Sequence, residues 1–198
     1  MHDVLTGFKY IGEVIKNHEK AGHGNFILGF EESYGYMKGT YCRDKDAVVA
    51  SMLVCEMAAA LKLQGKNILD ALKDVYATYG YYLAYVQSIE LTGSDAMEKA
   101  AKMMADLRAN APASIGGASV TGVRDYRTSV AKDLVTGEES AITLPKSNVL
   151  EFLLGNQGSV IARPSGTEPK VKFYYTAVAS DQNSAKSLLD AMVAQMSK

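Results

Sequence analysis

Val160-Ile161-Ala162-Arg163-Pro164-Ser165-Gly166-Thr167-Glu168-Pro169-Lys170-Val171-Lys172-Phe173-Tyr174-Tyr175 is the stretch on which the reading of this chain turns. Two runs rich in β-branched and aromatic residues flank a loop of small and polar ones, the pattern of two strands and their connection. Ser165 and Thr167 bring hydroxyl donors, and Gly166 permits a turn with φ > 0 that presents backbone N–H groups inward. Arg163 adds a planar guanidinium able to grip a dianion through two parallel hydrogen bonds. Lys172, two residues beyond Lys170, shares its face of the strand. The loop is a cradle for phosphate oxygens, although the same composition also serves a plain hairpin turn with solubilising cations.

Downstream, Leu188, Leu189, Met192, Val193 and Met196 recur at helical spacing, and Asp181 or Ser184 can open that helix. Upstream, Ala118 to Val123 and Val149 to Leu154 read as strands, separated by a polar segment and followed by the turn Gly155-Asn156-Gln157-Gly158. Ser94 caps a helix with Met97, Ala100, Ala101, Met104 and Leu107 inward, stopped at Asn110 and Pro112. Leu83 to Leu91 opens this second unit, so the pattern predicts two helices on one face of an antiparallel sheet.

The first part of the chain has a different texture. Thr6 is the expected cap of a helix carrying Phe8, Ile11, Ile15 and His18, ending near Gly22 and Gly24. Phe26 to Phe30 has strand character and leads into Glu31-Glu32-Ser33, with alternation pointing Glu31 and Ser33 the same way. Asp44 is the expected cap of a largely apolar helix running to about Leu63, predicted to be mostly buried. Asn67 opens a further helix with Ile68, Leu69, Leu72, Val75 and Tyr76 on one stripe. The tyrosines around Tyr79 lack the basic groove that base stacking requires and are read as packing.

The 198 residues are 47% apolar, enough for real cores. Lys+Arg 21 against Asp+Glu 22 gives a net charge of −1, which offers no broad field to nucleic acid or an anionic membrane. No membrane span is expected, because the apolar run from Ala47 is interrupted by Ser51, Glu56 and Lys62. Cys42 and Cys55 lack metal-ligand spacing and read as buried thiols of a cytoplasmic protein. His2, His18 and His23 are too irregularly spaced to argue for a metal.

RPSGTEPKVKFYY resembles the phosphate-binding loop in the last domain of the α-D-phosphohexomutases, the phosphoglucomutase and phosphomannomutase family. Gly29-Phe30-Glu31-Glu32-Ser33-Tyr34-Gly35 resembles the sugar-recognition loop of the family's third domain, and Thr6-Gly7-Phe8-Lys9 and Arg43-Asp44-Lys45-Asp46-Ala47 resemble other parts of that domain. The resemblance implies the remainder of an α/β sugar-binding domain over residues 1–82. An antiparallel, TBP-like α+β domain with helices on one face, for phosphate binding, follows over 83–198. It implies sugar contacts from Glu31, Ser33, Lys9 and Lys45, and phosphate contacts from Arg163, Ser165, Gly166, Thr167 and Lys172. Lys172 stands where the family often has arginine, keeping the charge but losing the fork.

The implied parent enzyme is an isomerase of carbohydrate metabolism, an intramolecular phosphotransferase that interconverts hexose 1-phosphate and hexose 6-phosphate. It uses Mg²⁺ and hexose 1,6-bisphosphate. The family's phosphorylatable serine loop and Asp-Gly-Asp metal loop do not occur in this sequence. The chain is therefore expected to be a C-terminal piece, inactive alone and binding neither cofactor by itself, with N-terminal domains of the same chain as its partner. The alternative is a stand-alone, non-catalytic sugar-phosphate-binding module. The phosphoglucomutase-like form of the Glu31 loop favours glucose over mannose.

Overall fold

The computed structural model describes residues 2–197. The chain forms two compact units, Met1–Asp74 and Val75–Lys198.

In the first unit, helix α1 (Phe8–Ala21) starts after Gly7, which has φ 128 and offers no side chain as a cap. Thr6, the expected cap, does not fill that role. The Gly7 N–H is instead donated to Glu31 Oε1 at 2.7 Å, so a residue 24 positions away satisfies the helix end. At the other end Gly22 is left-handed at φ 68 and turns its N–H back onto the last carbonyls. Strands β1 (Gly29–Glu31) and β2 (Gly35–Met37) form an antiparallel hairpin in which Glu31 faces Gly35. The predicted strand was placed three residues too early at its start. Phe8, Ile15 and Met37 are the buried centre of this unit, with Ile11, Phe26 and Cys42 packed around them.

Helix α2 (Ala47–Leu63) is capped by Asp46 rather than Asp44: Asp46 Oδ1 accepts from the N–H groups of Val48 and Val49 at 2.9 and 3.1 Å. Asp44 uses its carboxylate on Lys45 instead. The expected burial of α2 is overturned, for the helix contains no buried residue and leaves Val48 72% and Leu63 91% exposed. A hairpin of two three-residue strands is far too small a sheet to cover a helix of about five turns. Cys55, on this helix, is exposed and Cys42 only partly buried, which corrects the reading of both as buried thiols. Helix α3 (Ile68–Tyr79) is capped by Asn67, whose Oδ1 accepts from Leu69 and Asp70 N–H groups while Asp70 answers the Asn67 N–H. Its apolar stripe is likewise uncovered. Among the described residues, no single helix is long and apolar enough to cross a membrane.

The second unit is built on a seven-stranded sheet. Its members are β3 (Tyr81–Glu90), β6 (Gly122–Asp125), β7 (Val130–Asp133), β8 (Glu139–Ala141), β9 (Leu150–Leu153), β10 (Gly158–Pro164) and β11 (Lys170–Ala179). They run in the order β3-β11-β10-β9-β6-β7-β8, every neighbouring pair antiparallel. A small ladder of β4 (Ser114–Ile115) and β5 (Ala118–Ser119) lies apart. Strands β7 and β8, which fold the polar segment around Thr136 and Gly137 into a hairpin, were not anticipated from the sequence.

Helices α4 (Ala96–Ala109) and α5 (Gln182–Met196) cover one face of this sheet. Val160, Ala162, Val171, Phe173, Tyr175, Leu150 and Phe152 point into that core, against Ala100 and Met104 of α4 and Met192 of α5. Met97, expected inward, is exposed because the buried line of α4 runs Ala96, Ala100, Met104. Asp95 rather than Ser94 occupies its N-cap position. Asp181 caps α5 by accepting from the Ser184 N–H at 2.9 Å. The tyrosines are only partly used in packing: Tyr76 stacks on Tyr81, but Tyr79 and Tyr82 are exposed. Gly158 sits where a Cβ would lie 1.8 Å from the Thr176 carbonyl oxygen, so the β10–β11 ladder closes only over a glycine.

The opposite face of the sheet carries the alternate residues. Ser159, Ile161 and Arg163 of β10 and Lys172, Tyr174 and Thr176 of β11 lie on it, and none is buried.

Candidate functional site

Each unit holds one cluster of the residues singled out in the sequence. In the second unit, antiparallel register sets Arg163 directly opposite Lys172 and Pro164 opposite Val171. The Ser165 N–H then closes the connection on the Lys170 carbonyl at 2.9 Å. Like charges at directly opposed strand positions repel, which needs a counter-charge to offset it. The Arg163 side chain makes no hydrogen bond or ion pair with any described residue. Glu168 does not supply it: its carboxylate is taken by Lys170 at 2.7 Å, a contact that holds Glu168 below the ordinary carboxylate range, with a smaller influence from Lys172.

The loop between the strands is arranged around one hydroxyl. Ser165 Oγ accepts from the N–H groups of Thr167 and Glu168 at 3.4 and 3.2 Å. The Ser165 O–H in turn bears on the Glu168 carboxylate and helps to hold its pKa low. Gly166 does not adopt φ > 0, contrary to expectation, and a Cβ there would meet nothing. Its N–H has no partner among the described residues. The loop therefore offers one free amide, the Thr167 hydroxyl and the flanking cations rather than a full nest of inward amides.

In the first unit the hairpin tip Glu32-Ser33-Tyr34 turns tightly, with Tyr34 at φ 63. Strand alternation ends at Glu31, so Ser33 does not share its direction: Ser33 Oγ donates to Glu32 Oε1 at 2.7 Å. Glu31 Oε1 is held by Gly7, and Oε2 has no hydrogen-bond partner among the described residues. Lys45 is brought to this hairpin, since its side chain packs on Gly35 and its ammonium lies 5.1 Å from the Phe8 ring centre. Asp44 binds that ammonium at 2.8 Å and raises its pKa, with Glu31 adding to the effect. Lys9 makes no hydrogen bond or ion pair with the hairpin tip among the described residues. Its ammonium lies over the Tyr10 ring, and it lines an open groove along α1 with Lys16, Lys20 and Arg43.

Asp46 receives the Tyr41 hydroxyl, and that bond pushes the Tyr41 pKa up to about 12. The three histidines do meet in space, with His2 and His18 joined Nε2 to Nε2 at 3.0 Å and the His23 ring against His18. No group of three or more His, Cys, Asp or Glu among the described residues is placed to hold a metal ion.

Sequence reasoning passed over a second polar cluster on the open sheet face. Glu151, only 8% exposed, accepts from the Tyr126 hydroxyl at 2.9 Å and from Arg124 at 3.3 Å. Burial, then the Glu151 charge, pushes the Tyr126 pKa up to about 12. The period-two placing of Arg124 and Tyr126 was the available signal, but their partner lies 25 or more residues away.

The sequence matches two family descriptions: phosphoglucomutase/phosphomannomutase, alpha/beta/alpha domain III, over residues 1–79, and the phosphoglucomutase/phosphomannomutase C-terminal domain over residues 95–195. The chain belongs to the phosphoglucomutase/phosphomannomutase family. Among its relatives is a phosphoglucomutase of Staphylococcus aureus strain MRSA252, 38% identical over 191 residues that cover 96% of this chain and 34% of that protein. The phosphoglucomutase of the bovine strain RF122 / ET3-1 matches to the same extent. This chain thus spans about a third of the length of these relatives. The open-form crystal structure of the Paramecium exocytosis-sensitive phosphoprotein pp63/parafusin shares the fold, with TM-score 0.62 at 18% identity, over 97% of this chain and 32% of that one.

Proposed function

We propose that this chain supplies the sugar-recognition and phosphate-anchoring parts of a phosphoglucomutase, which moves a phosphoryl group between the C1 and C6 oxygens of a hexose. The observation that carries the reading is the unneutralised Arg163–Lys172 pair at the mouth of the Ser165 loop. A phosphate dianion placed there meets the Arg163 fork, the Lys172 ammonium and the free Gly166 N–H; the Thr167 hydroxyl adds a donor, and the Ser165 O–H can turn to it from Glu168. Glu31 Oε2 and the Lys45 ammonium are the sugar-facing acceptor and donor, with Ser33 and Lys9 as further contacts.

Transfer needs a phosphorylated group and a divalent metal to neutralise developing charge, and this chain's residues bind and orient rather than transfer. The bare apolar flanks of α2 and α3 support a larger assembly in which N-terminal domains cover them. Titration of the pure chain with inorganic phosphate and with glucose 6-phosphate tests the reading. Binding of both, lost in Arg163→Ala, is expected, together with no mutase turnover when Mg²⁺ and glucose 1,6-bisphosphate are supplied. Wild-type affinity in Arg163→Ala would remove the phosphate assignment.

A further inference from the structure

The cluster of Arg124, Tyr126 and Glu151 shares the open sheet face with the phosphate loop. Glu151 pairs with Ile161 on β10, two residues from Arg163, and with Arg124 on β6. Asp125, between Arg124 and Tyr126, turns the other way and binds Arg108 of α4 at 3.1 Å on the helix-covered side. Arg124 must therefore rise from the same face as Arg163 and Lys172. Strand spacing puts Arg124 about 10 Å across the sheet from Arg163 and about 7 Å along it. Two arginine side chains leaning together from those positions bracket a ligand the size of a phosphorylated sugar.

The chemistry of the cluster suits a prepared arm. A carboxylate buried on a sheet face is costly unless it is hydrogen-bonded, and Glu151 meets that condition with Tyr126 and Arg124. Arg124 spends one N–H on Glu151 and lies beside the Tyr126 hydroxyl, while its side chain is 45% exposed. A guanidinium has five donors, so some remain for a ligand beyond the contacts with Glu151 and Tyr126. Glu151 fixes the guanidinium plane before a ligand arrives, which lowers the ordering cost of binding.

We infer that Arg124 is a second guanidinium arm of the ligand site, held by Glu151 and Tyr126, that takes an oxygen of the sugar or of its distal phosphate while Arg163 holds the near one. This rests on the phosphate-loop reading, and the test separates the two. The chain would be titrated calorimetrically with inorganic phosphate and with glucose 1,6-bisphosphate, as wild type, Arg124→Met, Arg124→Lys and Arg163→Met. Arg124→Met is expected to keep the wild-type affinity for inorganic phosphate and to bind the bisphosphate about tenfold more weakly, the low end for one charged hydrogen bond. Arg124→Lys should fall between, and Arg163→Met should weaken both ligands. Wild-type bisphosphate affinity in Arg124→Met, or an equal loss of both ligands in that variant, overturns the second arm and leaves the phosphate loop standing. A wild-type chain that binds neither ligand at millimolar concentration overturns both.

Discussion

Arg163 and Lys172 face each other across adjacent antiparallel strands, two cations on one side of the sheet with no hydrogen-bonded or ion-paired anion between them among the described residues. A cross-strand pair of this kind works against the fold, by about 0.2–1 kcal/mol on the usual scale of such contacts. Removing one charge should therefore help the ligand-free protein while harming its binding. Arg163→Met is expected to raise Tm slightly and to weaken phosphate by about 1.5–3 kcal/mol. Calorimetric melting and phosphate titration of the same sample check both signs. A fall in both would mean that Arg163 is structural.

Tyr126 gives a pH signature. Its pKa lies at about 12 in the fold against 10.0 for the free group. The fold therefore favours the neutral phenol: that contribution is complete below pH 10 and is lost as pH climbs through about 12. Tyr126→Phe should flatten the loss of stability between pH 10 and 12 relative to wild type, by about 1 kcal/mol at the alkaline end, because solvent screens a half-buried phenol. At pH 7 the same variant should be destabilised by about 1–3 kcal/mol, because Glu151 loses a buried donor. Denaturant melts at both pH values measure the two differences.

Gly158→Ala should be among the most damaging single changes in the second unit. The added Cβ meets the Thr176 carbonyl at 1.8 Å, and the backbone there has φ 115. Both effects act together, and a loss of about 3 kcal/mol or more is expected. Gly166→Ala, in the adjoining loop, meets no atom and has no positive φ to lose. It should leave stability within about 0.5 kcal/mol of wild type. Comparing the two melts separates ladder closure from loop flexibility.

Glu31 has a structural role as well as its proposed contact with sugar. Glu31→Ala removes the acceptor of the Gly7 N–H and should destabilise the start of α1 by about 0.5–2 kcal/mol, the range for a lost helix cap. Glu31→Gln keeps an oxygen for Gly7 and should retain most of the helix. Hydrogen exchange at Phe8 to Ile11 is the direct readout.

The strand–loop–strand unit around Arg163 was legible in the sequence because its signal is local: alternating side chains, a small-residue connection, and Asp181 one step before α5. The two helices on one sheet face follow from the same kind of periodicity. What the sequence hid depends on partners far along the chain. Which of Asp44 and Asp46 caps α2 is decided by backbone geometry, since either aspartate could serve. The turning of Glu31 onto Gly7, and of Ser33 onto Glu32, follows from a hairpin so tight that strand alternation stops at Glu31. Glu151 reaches its arginine and tyrosine only through the β9–β6 register. The exposure of α2 escaped prediction because an apolar helix records what it needs to bury, and its own sequence says nothing about whether a sheet is there to receive it.

Cys55 is a built-in reporter of that question. It is an exposed thiol on α2, close in sequence to Val54, Met52 and Met57, which stand open to solvent in this chain. An environment-sensitive dye attached there would fluoresce as in water on the chain alone and shift to the blue once another protein surface seals that flank. A single native side chain can thus record whether another surface comes to cover the helix.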